Sequence, residues 1–340
     1  MEHPERPLAL TIGDPAGIGP DITLFAWQAR ARGRIPPFAL LGDPGVIAAR
    51  AEALGIDVPI ETVAEVEVAP ALFARALPVL PVPIAGPVVP GHADRSAAPA
   101  VQEAIERAVN LVQQGAARAI VTNPIAKAVL HGAGFPFPGH TEFLASLAAR
   151  GGTPVHPVMM LASPALRVVP VTIHVPLKDV PGLLTSDLIL ATIEITARDL
   201  GRYFGLNRPR LAVAGLNPHA GEEGSLGQEE SEIIAPAIAA ARAKGLDVTG
   251  PHPADTLFHA RARAGYDAAI CMYHDQALVP FKTIAFEEGV NVTLGLPFVR
   301  TSPDHGTAFA LAGTGKASPR SLIEALRLAA AMSDRAEALA

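Results

Sequence analysis

The alternation of short apolar segments with amphipathic segments is the feature that most constrains the fold of this chain. Apolar runs predict strands at 8–12, 38–41, 119–122, 168–173, 210–214 and 268–272. Apolar residues at helical spacing predict helices between them, most clearly at 99–118, 187–203 and 229–244. Strands separated by helices are typical of a mostly parallel sheet with helices on its faces. We therefore expect an α/β protein, in which the proline-dense stretch 76–91 is an extended connection and not a regular element.

The composition agrees with this class and argues against several others. Hydrophobic residues make up 49% of the 340 residues and charged residues 18%, a balance that indicates a folded chain of about two domains. A net charge of −6 gives no basic surface for DNA or RNA. No apolar run is long enough to span a bilayer, and Glu2 and Glu5 stand where a signal peptide would be basic. Cys271 is the only cysteine and cannot form an intrachain disulfide, so we expect a cytoplasmic protein without nucleic-acid or membrane partners.

Three histidines each follow a predicted strand, namely His174, His219 and His274. In α/β sheets ligands collect at the carboxyl ends of the strands. Imidazoles from separate strand ends can hold one divalent cation and leave a position for substrate or water. Asp255 and Asp275 are nearby candidates for an oxygen ligand or a hydrogen-bonding partner of a ligand. Because the histidines lack a fixed metal-binding spacing, the pattern leaves open that each is an ordinary hydrogen-bonding residue.

A second group of polar residues suits an anion. The stretch FPGHTEF places His140 and Thr141 just ahead of a predicted helix, where donors suit phosphate or carboxylate, although Thr141 could equally be an ordinary N-cap. Lys282, Asn291 and Arg300 lie around the predicted strand NVTLGLP, and lysine and arginine bind the same anionic groups. Taken singly, each of these three is expected to be a solvated surface residue.

Glycine-rich loops lie near both ends of the chain. In GDPAGIGP the glycines Gly13, Gly17 and Gly19 follow the order GxxxGxG, which differs from the GxGxxG of dinucleotide-binding folds. The stretch TSPDHGTAFALAGTGKA suits a loop whose backbone amides approach a ligand, or a surface loop. The glycine order favours a sharp turn of the chain at the first loop and leaves open whether it contacts a ligand.

The motifs GDPAGIGPD, FPGHTEF, LNPHAGE, MYHDQ and VNVTLGLPFVRTSPDHGTAF together resemble the 4-hydroxythreonine-4-phosphate dehydrogenase family of pyridoxal phosphate biosynthesis. The resemblance runs from about residue 8 to residue 328. It implies two α/β domains with mostly parallel sheets, similar to isocitrate and isopropylmalate dehydrogenases. It also implies a cofactor-side domain at 1–125 plus 290–340, and a metal, substrate and dimerisation domain at 126–289. The active site is then expected in the cleft between domains and shared across a homodimer. The first glycine-rich loop is expected to form one wall of this cleft, opposite the second loop, with the dinucleotide between them.

The resemblance further implies roles for the candidate residues. It assigns one divalent ion (Zn, Mg, Mn or Co) to His174, His219 and His274 and places Asp255 and Asp275 beside the metal. Asp255, Asp275 or a metal-bound water would then accept the hydroxyl proton. The substrate, a phosphorylated amino acid, is assigned to His140, Thr141, Lys282, Asn291 and Arg300, and NAD or NADP to Gly13, Gly17, His305, Gly306 and Gly313. The implied reaction is oxidation of 4-phosphooxy-L-threonine to a β-keto acid, which loses CO2 to give 3-amino-2-oxopropyl phosphate.

Two positions depart from the family pattern, and three other functions stay open. The milder departure is Asp21, where the family commonly has Glu, and both acids suit a helix start. Ala310 stands where family members usually carry an acid, and alanine can neither accept a bond from the ribose 2′-hydroxyl nor repel a 2′-phosphate, so we predict a weakened preference for NAD. A sister dehydrogenase could act on threonate or erythronate 4-phosphate, or on a cis-diol carboxylate. A metal-dependent hydrolase would use the same histidines without a dinucleotide, and a non-catalytic binding protein is a further alternative.

Overall fold

The chain divides into two compact units in a computed structural model that describes residues 6–149, 152 and 154–339, so Glu2 and Glu5 lie outside the described residues. The first unit comprises Met1–Pro157 and Leu296–Asp334, and the second comprises Val158–Gly295 and Arg335–Ala340. Residues 126–157, expected in the second domain, lie in the first unit, because Phe143 and Leu144 pack in its core. The roles expected for the two domains, and the cleft between them, stay predictions.

The first unit is built on a parallel sheet. Its strands are β1 (Leu8–Thr11), β2 (Phe38–Gly42), β3 (Ile60–Thr62), β4 (Leu77–Pro81), β5 (Ala119–Thr122) and β12 (Arg300–Pro303). They lie in the order β3-β4-β2-β1-β5-β12, and each described pairing among them is parallel. In β1 the residues Leu8, Ala9 and Leu10 are fully buried, as expected for a strand covered by helices on both faces.

Helices follow the strands of the first unit in chain order. They are α1 (Gly19–Gln28), α2 (Arg30–Gly33), α3 (Pro44–Ala53), α4 (Ala69–Leu72), α5 (Ala98–Gln113), α6 (Lys127–Gly132), α7 (His140–Ala148) and α14 (Arg320–Ala338). Short 3-10 turns lie at Val66–Val68, Arg95–Ala97 and Phe309–Leu311. Helix α5 shows the predicted pattern, because Val101, Ile105 and Val109 are buried on one face.

The second unit is built on a mixed sheet. Its strands are β6 (Val158–Ala162), β7 (Arg167–Thr172), β8 (Arg210–Ala214), β9 (Asp247–His252), β10 (Ala268–Tyr273) and β11 (Val290–Leu294). They lie in the order β11-β6-β7-β10-β8-β9. The pairings from β7 through β10 and β8 to β9 are parallel, whereas β6 is antiparallel to both of its neighbours.

The helices of the second unit are α8 (Val180–Leu183), α9 (Ser186–Phe204), α10 (Ala235–Ala243), α11 (Ala254–Leu257), α12 (Ala260–Arg263) and α13 (His274–Ala285). A π-helix at Glu230–Ile234 precedes α10, and 3-10 turns lie at Leu177–Asp179 and Pro218–Gly224. Among the described residues no single helix is long and apolar enough to cross a membrane. Leu177–Leu183 and Ser186–Phe204 reach that length and composition only together, with a bend of 91° between them.

The predicted α/β class with mostly parallel sheets is confirmed, but one predicted connection is wrong. Residues 76–91 contain the strand β4, in which Leu77, Val79 and Leu80 are buried. Leu77 and Val82 donate their backbone N–H groups to Pro59 O and Gly42 O, so the sheet forms its bonds around the prolines of this stretch. The high proline content of this stretch therefore led to the prediction of a connection, although the stretch contains a buried strand.

Candidate active site

Polar residues follow four neighbouring strands at one edge of the sheet in the second unit. His174 follows β7, His274 and Asp275 follow β10, His219 follows β8, and Asp255 follows β9. The order β7-β10-β8-β9 makes these strands successive neighbours, and parallel strands have their carboxyl ends at the same edge. The structure therefore places the predicted metal and proton-transfer residues along a single edge.

His174 and His274 are direct neighbours at this edge. Their ring centroids lie 5.6 Å apart, and both rings line a pocket of about 200 Å³. Nδ1 of His274 lies 2.7 Å from Oδ1 of Asp275. When Nδ1 donates to this carboxylate, Nε2 carries the lone pair that a cation needs.

His219 lies on the adjacent turn in an unusual backbone conformation. Residues 219–223 all have positive φ, with values of 53°, 53°, 81°, 43° and 55°, and only Gly221 is a glycine. His174 also has a positive φ, of 51°. Such conformations are strained for non-glycine residues and concentrate at functional sites.

The three histidines do not form a complete ligand set. Among residues 6–149, 152 and 154–339, no three His, Cys, Asp or Glu side chains lie close enough together to hold one ion. The imidazole pair nevertheless fits a divalent cation by the chemistry of its donors and by its shared pocket. The structure thus brings together two of the three predicted ligands and leaves His219 on the neighbouring turn.

Arg300 and His140 lie in the first unit, in a buried and positively charged environment. Arg300 opens β12, is 2% exposed and donates from Nη2 to Thr122 Oγ1 at 2.6 Å, so it is not a solvated surface residue. Burial lowers the pKa of Arg300 to about 10. Burial, with the charges of Arg300 and Lys127, holds the pKa of His140 well below its usual value. At neutral pH the pair is therefore a charged guanidinium and a neutral imidazole.

The N-terminus of α7 adds backbone donors to this environment. Its N-cap is Gly139, which gives no side-chain cap, and Thr141 is the second helical residue, so an N-cap role for Thr141 is wrong. A Cβ added to Gly139 would lie 3.4 Å from Nζ of Lys127 and 3.4 Å from Oε2 of Glu142, so an ammonium and a carboxylate both lie against the helix start. An uncapped helix N-terminus with cationic side chains favours an anion.

Three further residues are candidates for binding the substrate, one in the first unit and two in the second. Lys127, which the sequence interpretation missed, follows β5 in the stretch TNPIAK, and its position after a strand end was the available signal. Lys282 and Asn291 lie in the second unit, on α13 and in β11, and both are half-buried. Their predicted role toward the substrate stays a prediction.

The two glycine-rich loops of the first unit contact each other directly. Ile18 N donates to Thr307 O at 3.0 Å, and Gly313 N donates to Asp21 Oδ1 at 2.7 Å. A Cβ on Gly17 would lie 2.9 Å from Thr307 O. The loops therefore lie opposite each other as expected, and the glycines allow their backbones to touch at these positions. The predicted roles of Gly17 and Gly313 toward a dinucleotide stay predictions.

The glycines and histidine assigned to the cofactor differ in accessibility. Gly13 is buried with a φ of 71°, and a Cβ there would lie 2.5 Å from Pro124 O, so this glycine serves the turn itself. Gly306 is exposed, a Cβ there would meet nothing within 4 Å, and His305 beside it is half-buried. Within the second loop, Gly306 is thus open to a ligand, and its predicted cofactor role stays a prediction.

A mostly parallel α/β fold, with paired imidazoles in one unit and a buried guanidinium in the other, is typical of α/β enzymes. The model of the family described as "Pyridoxal phosphate biosynthetic protein PdxA" matches residues 34–329. This chain belongs to the PdxA family.

Full-length relatives agree with this assignment. The chain is 58% identical over 335 residues to the 4-hydroxythreonine-4-phosphate dehydrogenase of Xanthobacter autotrophicus, covering 98% of this chain and 95% of the relative. It is 59% identical over 338 residues to the enzyme of the same name from Methylorubrum populi, covering 98% and 97%. The crystal structure of 4-hydroxythreonine-4-phosphate dehydrogenase from Klebsiella pneumoniae matches with a TM-score of 0.84 at 37% identity, covering 96% of this chain and 99% of that one.

Proposed function

We propose that this chain oxidises the secondary alcohol of 4-phosphooxy-L-threonine with NAD or NADP. The β-keto acid so formed loses CO2 and gives 3-amino-2-oxopropyl phosphate, a step of pyridoxal phosphate biosynthesis. The observation that carries the proposal is the identity of 58% and 59% to full-length dehydrogenases of this name. The chemistry of the two described sites supports it, as follows.

The buried cationic environment of the first unit suits the phosphate of this substrate. Arg300 supplies a permanent charge, and its planar guanidinium can donate two parallel bonds to phosphate oxygens. His140 is held neutral, so it can donate one hydrogen bond to the anion without a protonation step. The exposed Lys127 and the backbone donors of α7 add positive potential near His140, which the carboxylate of Glu142 at the helix start partly offsets.

The histidine pair of the second unit suits a divalent cation. His174 and His274 would hold the ion, and Asp275 would fix the ring of His274 through Nδ1. When bound, such an ion supplies Lewis acidity to the substrate hydroxyl and to the carbonyl that replaces it. Because Asp275 is engaged with His274, we assign acceptance of the hydroxyl proton to Asp255, which stands at the neighbouring strand end.

A homodimer with a shared active site is part of the proposal. Zinc sites in enzymes usually have three protein ligands, and the described residues of one chain bring only two imidazoles together. A histidine supplied across a dimer interface would provide the third ligand.

The test is reduction of NAD or NADP by purified protein with 4-phosphooxy-L-threonine as the substrate. Absorbance of the reduced cofactor should rise, should stop after treatment with a chelator, and should return with Zn2+, Co2+, Mn2+ or Mg2+. D-threonate 4-phosphate and D-erythronate 4-phosphate, run in parallel, separate the sister dehydrogenases, and faster turnover of either would overturn the substrate assignment. Phosphate release without any cofactor reduction would instead identify a metal-dependent hydrolase.

A further inference from the structure

Gln276 joins the two strand ends that precede His274 and His219. It lies two residues after His274 on α13 and is 8% exposed. Its Oε1 accepts a hydrogen bond from Met272 N in β10, and its Nε2 donates to Gly215 O just after β8, both at 2.7 Å. One side chain therefore fixes the distance between the backbones that lead into two candidate metal ligands.

Glu230 holds the next part of the same turn. It is 5% exposed, and its Oε1 accepts from the backbone N–H groups of Leu216 and Asn217, each at 2.7 Å. Its Oε2 accepts from Asn217 Nδ2 at 2.9 Å. A Cβ on Gly221 would lie 2.6 Å from Oε2, so the carboxylate contacts the turn on both sides of His219.

These contacts explain why the strained turn at 219–223 persists. A run of residues with positive φ is retained only where the surrounding structure over-determines it. Gln276 and Glu230 are buried polar groups, and burying them is costly unless their bonds are satisfied. Gln276 donates to the backbone carbonyl of residue 215, and Glu230 accepts from the backbone N–H groups of residues 216 and 217. These bonds fix the segment that leads into His219.

We propose that Gln276 and Glu230 are positioning residues that hold the His219 turn in register with His274 for metal binding. The inference rests on the proposed metal-dependent function, and it adds two residues that act on the ligands through the backbone. In this proposal neither Gln276 nor Glu230 contacts the substrate or the cofactor.

The test measures Co2+ binding by the full-length protein, by competition with a chromophoric chelator and by the Co2+ absorption spectrum. Loss of groups that orient metal ligands typically costs about 10- to 100-fold in metal affinity. We expect such a loss in Gln276→Met and in Glu230→Leu, together with a changed Co2+ spectrum. Glu230→Gln, which keeps an oxygen acceptor for Leu216 N and Asn217 N, should recover most of the affinity.

A matched control comes from the same unit. Thr196 is fully buried in α9, and its hydroxyl donates to Thr192 O of the same helix. Thr196→Val should lower stability by a similar amount and leave Co2+ affinity and spectrum unchanged. If Gln276 has only a structural role, Gln276→Met should also lower stability and leave Co2+ affinity and spectrum unchanged. That outcome would overturn the inference.

Two other results have separate meanings. If the wild-type protein binds neither Co2+ nor Zn2+, the proposed metal-dependent function fails, and the inference fails with it for that distinct reason. If the apolar variants do not fold, Gln276→Glu carries the test, because it keeps the acceptor for Met272 N and loses only the donor to Gly215 O. The added negative charge favours a cation, so weaker binding would report the lost bond, and unchanged or tighter binding would contradict the inference.

Discussion

In the first unit, Arg300 is charged and His140 is neutral at neutral pH. Arg300 remains charged, since its pKa of about 10 is still well above neutrality. His140 stays neutral, because its burial disfavours a charged ring and protonation would add a third positive charge beside Arg300 and Lys127. The site can therefore attract an anion without becoming unstable through like-charge repulsion.

The lowered pKa of His140 predicts a pH dependence of stability. The unfolded chain binds a proton at this residue below a pH of about 6.5, whereas the folded chain resists it, so the free energy of unfolding should fall as the pH drops below that value. His140→Asn should reduce this loss between pH 7 and pH 5, as measured by urea unfolding. The exposed His92 provides the control, and an equal effect in His92→Asn would contradict the assignment.

Ala310 provides a second prediction at the level of a single residue. It is exposed in the 3-10 turn Phe309–Leu311, where an acidic side chain would have room to reach a ribose. We expect kcat/KM for NAD and NADP to lie within about tenfold of each other, and Ala310→Asp to favour NAD by a further 10-fold or more. A strong preference for NAD that is unchanged in Ala310→Asp would contradict this interpretation.

At the scale of elements, a buried ion pair ties the start of α1 to α3 and to both glycine-rich loops. Arg50 pairs with Asp21 and donates to the carbonyls of Pro15 and Gly17, at 3.0 Å and 2.9 Å. The other oxygen of Asp21 accepts from Gly313. These bonds make the two loops a single structural unit.

Removing one member of this pair should be costly, because the other charge stays buried. We expect Arg50→Met to lower the free energy of unfolding by about 3–5 kcal/mol, and the double variant with Asp21→Asn to lose less than the sum of the two single variants. Urea unfolding of the four proteins measures this. Strict additivity would show that the pair does not couple the loops. Arg75→Met, at an exposed ion pair with Glu61, is the control and should cost about 1 kcal/mol or less.

The elements themselves were largely readable from the sequence. β5 and β8 have the predicted bounds, since a buried parallel strand is a continuous apolar run between turn residues. The order of strands was not readable, because it depends on pairings between distant segments. For the same reason the sequence could not show that Arg300 is buried, that the two glycine loops touch, or that Gln276 reaches Gly215. The motifs identified the candidate residues, and the strand order of the sheet determines which of them lie close together.

At the scale of the whole molecule, the described residues leave the candidate metal ligands one short of a usual set. If a second copy supplies that ligand, metal affinity must depend on association. We expect the purified protein to have the mass of a dimer by light scattering, and dilution to lower the dimer fraction and the Co2+ affinity together. A monomer that binds Co2+ with full affinity would contradict a shared site.

The position of β10 between β7 and β8 determines when, during synthesis, the histidine edge can exist. The ribosome makes β7, β8 and β9 before β10, although β10 separates the first two of them in the sheet. Until residues 268–273 have left the ribosome, the loops that carry His174 and His219 lack β10, the strand that lies between theirs. They also lack His274, which follows β10. This edge can therefore bind an ion only after β10 has been synthesised. A chain truncated before β10 lacks the site.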